Sequence, residues 1–165
     1  MSKKLHKVLA VNPGARYFGV AVFTESELDY WGIKNINVTD SKRKERKIKT
    51  LISALIERYE TDTLAIKRLH RLRSSKLLNQ LVSSIKQVAK RKGLKIYQYS
   101  IKDLKAFFSP EKRRNKRKLS EIVALKHPSL LHELNKEKHN ENPYHIRVFE
   151  AVALGTVCLH QLDKN

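Results

Sequence analysis

The sequence predicts an α/β fold with a mixed five-stranded sheet, three antiparallel strands and then parallel strands, flanked by helices. Two observations carry this. Three apolar, β-rich runs near the start are joined by connections short enough only for hairpins. The remainder alternates helical and strand periods, and strands joined through helical crossovers pair in parallel.

Each element has its own signal. Residues 5–11, LHKVLAV, end in an apolar β-branched run and meet Pro13-Gly14, a strand running into a turn. Residues 17–24, YFGVAVFT, give a second strand, and Leu28 to Val38 a third. After Asp40, a good N-cap, Ile48, Leu51, Ile52, Leu55, Ile56 and Tyr59 form one helical stripe. Residues 63–66, TLAI, make a short buried strand. A helix over about 74–91 follows, with Leu78, Leu81, Ile85 and Val88 on one face and Gly93 closing it; Ser74 and Ser75 precede it as cap candidates. Residues 94–98, LKIYQ, are another strand, leading into a short helix near 100–107. The segment 109–118, SPEKRRNKRK, reads as an exposed basic loop. Helical pattern resumes at 118–126, a polar segment covers 132–143, and Pro143 precedes a final helix of about 145–162. No internal repeat or low-complexity tract interrupts residues 1–165, which read as a single domain.

Composition narrows the partner. The 165 residues are 41% hydrophobic, enough for a real core, yet 35 Lys and Arg face only 16 Asp and Glu, a formal charge of +19. Clustered cations on that scale fit a polyanion, most simply nucleic acid. No apolar run approaches the roughly 20 residues of a membrane span. The start, MSKKLHKVLAV, has a short apolar run broken at Asn12-Pro13-Gly14, unlike a signal peptide. A lone cysteine, Cys158, excludes an intramolecular disulfide framework and a cysteine-rich zinc module. A cytoplasmic protein without membrane attachment is expected.

Three local patterns resemble a known family. Residues 8–20, VLAVNPGARYFGV, resemble the opening strand and turn of the RuvC Holliday-junction resolvases, I-D-P-G-x-R-x-x-G, with Asn12 in the aspartate's place and Pro13, Gly14, Arg16 and Gly19 retained. Residues 65–70, AIKRLH, resemble A-I-E-x-x-F, so Lys67 stands where a catalytic glutamate would be. Residues 150–160, EAVALGTVCLH, resemble D-A-L-A-x-A-x-x-H, with Glu150 for an aspartate, and Arg147 falls where the family has an aspartate or histidine. YSIKDLKAFF (99–108) and NKRKLSEIV (115–123) are similar to two further family segments, in the right order. The resemblance implies a ribonuclease H-like fold and phosphodiester cleavage with divalent metal.

The substitutions remove that chemistry. A hard cation such as Mg²⁺ takes oxygen ligands, and a two-metal site needs a carboxylate cluster. Four family acids would carry about −4; Asn12, Lys67, Arg147 and Glu150 together carry +1. An amide oxygen at Asn12 can still ligate, but two cations repel a metal. No catalytic residue and no cofactor are therefore expected, Mg²⁺ or Mn²⁺ being implied only if the chain is an active, divergent junction endonuclease. Arg147 and Glu150 are i, i+3 neighbours, so a local ion pair is expected for them, with phosphate contact by Lys67 and Arg147 as the functional alternative. Elsewhere Glu60 and Asp62 read as solvated acids at a helix end, and Cys158 as a core residue.

Three basic clusters remain: 42–49, 67–73 and 112–118. The first reads equally well as a solvated helix face. The second offers Lys67, Arg68, His70, Arg71 and Arg73 at the rim of the site; His70 falls where the family has an aromatic residue that can contact a base, and imidazole has less area for stacking. The third, Lys112, Arg113, Arg114, Lys116, Arg117 and Lys118, together with Lys105 and with Arg16, reads as phosphate-binding, and all three clusters are expected on one face. The resulting expectation is a RuvC-like protein that binds branched or duplex DNA without cleaving it; an active endonuclease or an RNA- or ribosome-associated factor on the same fold are the alternatives. A homodimer is expected, because the family acts as two-fold pairs and because Leu77, Leu78, Leu81, Val82, Ile85 and Val88 make a band wide enough for core and partner.

Overall fold

The three early runs form β1 (Lys7–Asn12), β2 (Tyr17–Thr24) and β3 (Glu27–Asn35) in a computed structural model that describes residues 5–70, 72, 74–108, 116–132 and 143–164. β3 stops before the predicted Val38 because Asn35 Oδ1 accepts from the Asn37 N–H at 2.7 Å and turns the chain away. Asp40 accepts from the Lys42 N–H at 3.0 Å and starts α1 (Ser41–Tyr59), which ends at Glu60 in the left-handed conformation, φ 54°. β4 (Thr63–Lys67) follows. The Ser75 hydroxyl accepts from the Leu78 N–H at 3.1 Å and starts α2 (Lys76–Arg91), with Gly93 just beyond its end at φ 79°. After β5 (Lys95–Tyr99), a reciprocal cap between Ser100 and Asp103 starts α3 (Ile101–Phe108). α4 (Lys116–Lys126) begins two residues inside the predicted basic loop, and α5 (Pro143–Lys164) is the final helix.

The sheet order is β3-β2-β1-β4-β5, with β1–β2 and β2–β3 antiparallel and β1–β4 and β4–β5 parallel. This is the expected mixed sheet. Alternation along the strands sorts two cores. Leu9, Val11, Val20, Val22, Leu64 and Ile66 face α1 and α2, whereas Val8, Ala10, Ala21, Phe23 and Ala65 face α5 with α3 and α4. The α5 side is built from small residues, and α5 answers with Ala151, Ala153 and Gly155, so this helix sits close on the sheet. A Cβ on Gly19 would lie 2.3 Å from the Arg147 carbonyl oxygen, and one on Gly155 would lie 2.2 Å from the Phe23 ring. From Val148 to Leu159, α5 is buried almost throughout because the sheet, α3 and α4 enclose it.

Two expectations change here. The wide band on α2 is largely absorbed by the chain's own core: Leu81, Val82, Ile85 and Val88 are buried and only Leu77 and Leu78 stay half-buried. The basic clusters do not share a face either, since α1 packs on the sheet face opposite α5. Glu60 and Asp62 hold the turn into β4, Glu60 beside Lys7 at 3.7 Å and Asp62 accepting from the Thr63 hydroxyl at 2.7 Å. Among the described residues no helix is long and apolar enough to cross a membrane.

His127 closes α4 against the core, its ring edge-on to Phe23 at 5.8 Å. Burial, and then the neighbouring Lys126 charge, hold its pKa below 6.5. A group with a depressed folded pKa favours folding above its unfolded value and loses that contribution as pH falls through the folded one. Stability is therefore expected to drop as pH falls below about 6.5, and His127→Gln to flatten that part of the profile. Urea denaturation between pH 7 and 5 checks this, and an unchanged slope in the variant would refute it.

Candidate functional site

The sheet brings the substituted positions together. Asn12 ends β1 and Lys67 ends the parallel neighbour β4, and alternation points both toward α5, as it does Ala10 and Ala65. Above them α5 presents Arg147 and Glu150 one turn apart. Glu150, 3% exposed, receives two donors on Oε2: Asn12 Nδ2 at 2.7 Å and Lys67 Nζ at 3.2 Å. The Asn12 amide must point this way, since turning it would set its oxygen against the carboxylate. Its Nδ2 also reaches the Arg147 carbonyl at 3.3 Å, while its Oδ1 is buried with no hydrogen bond. Leaving an acceptor so costs about 1–3 kcal/mol.

The expected Arg147–Glu150 pair does not form. Arg147 turns instead across the β1–β2 loop, with Nη1 3.4 Å from the Pro13 carbonyl. Gly14 makes room for it: a Cβ there would come within 2.3 Å of Nη1 and 2.4 Å of the Tyr17 carbonyl. With that guanidinium held over the loop, Lys67 across the sheet is a cation that reaches Glu150. Among the described residues no other carboxylate joins the site, and no group of three or more His, Cys, Asp or Glu could hold a metal ion. A divalent cation therefore does not fit these residues. The one acid already shares an oxygen with an ammonium group, which would repel the ion.

Sequence reasoning missed Lys44. It lies 7% exposed in the first turns of α1 and donates to the Ala15 carbonyl at 2.7 Å. The signal was there: stepping back one turn along the stripe from Ile48 lands on Lys44, apart from the outward Lys42, Arg43, Arg46 and Lys47. With Arg147 on Pro13 and the Ile36 N–H on the Arg16 carbonyl at 2.8 Å, three carbonyls of loop 13–16 are held from three sides. Arg16 projects from this fixed loop, exposed.

Of the remaining candidates, Arg68, His70 and Lys105 follow the C-terminal ends of β4 and β5. Arg68 is exposed beyond β4, its N–H on the Tyr99 carbonyl at 2.8 Å. His70 is exposed and its Nδ1 accepts from the Leu72 N–H at 3.2 Å, which ties the ring to its own turn. Lys105 is half-buried on α3. Arg71, Arg73, Lys112, Arg113 and Arg114 lie outside the described residues; Lys116, Arg117 and Lys118 open α4, their side chains outside the description. Cys158 is buried and burial pushes its thiol up to about 12, so it is a neutral core residue at pH 8.

No protein-family model matches this chain, and no curated protein matches it. Solved structures do. It is similar to Thermus thermophilus RuvC, with TM-score 0.70 and 16% identity over 90% of each chain. T. thermophilus RuvC in complex with Holliday junction substrate gives TM-score 0.68 and 14% identity, over 90% of this chain and 89% of that one. The yeast mitochondrial Holliday junction resolvase Ydc2 gives TM-score 0.63 and 13% identity, over 90% and 75%. The chain has a RuvC-like, ribonuclease H-like fold.

Removing the ammonium while keeping the carboxylate takes a counter-charge away from a buried acid. Lys67→Met is expected to destabilise by about 3 kcal/mol, the low end for a broken buried pair because Lys67 is partly exposed. Adding Glu150→Gln should recover most of that loss, since the amide needs no counter-charge. Equilibrium urea denaturation of the two variants measures both, and an additive double variant would refute the pairing.

Proposed function

On a RuvC-like fold whose one buried site carboxylate is paired with an ammonium group, we propose that this chain is a nucleic-acid-binding protein that holds branched or duplex DNA without cutting it. The Lys67–Glu150 contact at 3.2 Å carries the reading. Catalytic metal would need Glu150 and its neighbours as free oxygen ligands, and here the same oxygen is held by a cation and an amide. The formal charge of +19 supplies the affinity for phosphate.

In this reading, Arg16 on its clamped loop, Lys67, Arg68, His70, Arg71 and Arg73 beyond β4, and Lys105 with the 112–118 cluster contact the backbone of the bound nucleic acid. Such contacts set register and carry little sequence information. Arg147 acts through the loop that it grips, as a positioning residue. The same proposal includes a two-fold pair, for which half-buried Leu77 and Leu78 are the apolar groups left on α2. Light scattering at moderate salt reads the pair as twice the 19.2 kDa of one chain.

The direct experiment supplies Mg²⁺ or Mn²⁺ to the protein with a four-way junction, duplex DNA or structured RNA, and measures binding alongside cleavage. Binding without cleavage is expected on DNA. Nicking of the junction that is lost in Glu150→Ala would overturn the proposal, and tight binding confined to RNA would move it to the RNA-associated alternative. If about six phosphates are neutralised, log K for duplex DNA should fall with log salt at a slope near −5. Neutralising Lys112, Arg113, Arg114, Lys116, Arg117 and Lys118 together should flatten the slope and weaken all sequences alike.

A further inference from the structure

The layer formed by α1 and α2, on the sheet face away from the site, carries a second concentration of positive charge. These two helices hold eleven Lys and Arg against two Glu, a net +9 of the chain's +19. α2 has no acidic residue at all. Both glutamates of α1 are already engaged. Lys49 lies 3.2 Å from Glu45, and that hydrogen bond first, then one from Ser84, lowers the Glu45 pKa. Glu57 lies 2.6 Å from Lys92. Among the described residues, no ion pair or hydrogen bond holds the side chains of Arg46, Lys47, Lys90 and Arg91, all exposed.

The arrangement is unfavourable for an isolated chain. Lys42, Arg43 and Lys44 crowd the first turn of α1, where the helix dipole already presents positive charge, with no acid in that turn. Between the lower halves of the two helices lies an open groove of about 670 Å³, where Lys49, Arg91 and Lys92 outnumber the single acid, Glu57, and meet the hydroxyl-bearing Thr50 and Ser53. Cations and hydroxyls along a groove are phosphate donors. Among the described residues, the exposed large apolar side chains are Leu5, Leu72, Leu125 and Leu131, none of them on this layer, so it lacks the apolar face that an anionic membrane surface would require. α1 is about 28 Å long, enough to follow roughly eight phosphates of one strand.

We propose that the α1–α2 layer is a second nucleic-acid surface, which takes a separate duplex segment while the site end of the sheet holds the first. The proposal rests on the nucleic-acid reading above and adds to it that one chain joins two segments.

The test is stoichiometry per chain, which pairing of chains does not alter. A labelled duplex of about one helical turn is titrated into the protein near 0.15 M salt, where charges more than about 8 Å apart are largely screened. Sedimentation and fluorescence then count duplexes per chain at saturation. The wild type is expected to take two. A variant with Arg46, Lys47, Lys90 and Arg91 all changed to Ala, which favours helix and touches no core contact, is expected to take one with its tighter site within about threefold of wild type. One duplex per chain in the wild type, or two in the variant, would overturn the second surface and leave the first intact. No binding by either protein would instead sink the nucleic-acid reading itself. Vesicles of anionic phospholipid serve as a further arm: adsorption that the four substitutions abolish, with duplex stoichiometry unchanged, would assign the layer to membranes and refute the proposal.

Discussion

Everything at the top of the sheet depends on how closely α5 lies against β1 and β2. Gly19 lets the backbone of Arg147 press onto β2, and Gly155 lets the Phe23 ring fill the space beneath the helix. That approach carries Glu150 into a buried position between the ends of β1 and β4, where an ionised carboxylate needs a counter-charge. At 3.2 Å the Lys67 ammonium supplies on the order of 5 kcal/mol of attraction at an effective dielectric of 20, before desolvation is subtracted. Asn12 completes the set by donating from its amide. Side chains from three elements thus meet at one buried carboxylate oxygen under the helix.

The loop between β1 and β2 is held by the same logic from the other side. Lys44 comes from the layer opposite α5, yet its ammonium meets the Ala15 carbonyl one residue before Arg16, while Arg147 grips Pro13. The two layers therefore meet at a loop of four residues, and both use a cation on a backbone carbonyl. A cation on a carbonyl is not neutralised, so each keeps its field. That leaves the loop rigid and positive, a good platform for an exposed arginine and a poor one for a metal ion.

Much of this was legible in the sequence, and what was not has a physical reason. The strand runs, the α1 stripe and the caps at Asp40 and Ser75 are local signals, so the elements and the mixed sheet could be read directly. The site positions Asn12, Lys67, Arg147 and Glu150 were readable through the resemblance of three local patterns to a known family. The pairing within the site was not. Arg147 and Glu150 are neighbours by helical spacing, whereas Lys67 and Glu150 are 83 residues apart, and only the position of α5 on the sheet decides between them. Likewise the α2 band was visible as six apolar residues, but how much of it α1 and the sheet would cover depends on packing that no local period reports.

Asn12 and Lys67 are physically coupled through Glu150, and this bears on what the fold can do. An aspartate at position 12 would set a second carboxylate 2.7 Å from Glu150 where an amide now donates. A glutamate at position 67 would remove the counter-ion and add another anion in its place. Either change alone makes the pocket more negative without the number of ligands that a hard cation needs, so each is destabilising by itself. Both together would rebuild three acids around one point, which is stable only when a cation fills it. An ammonium group fixed to β4 and a bound metal are thus two exclusive ways of balancing Glu150. The first leaves the Lys67–Glu150 pair neutral whatever ions are in solution, so the positive charge at this end of the sheet comes from Arg16, Lys44 and Arg147 around the loop.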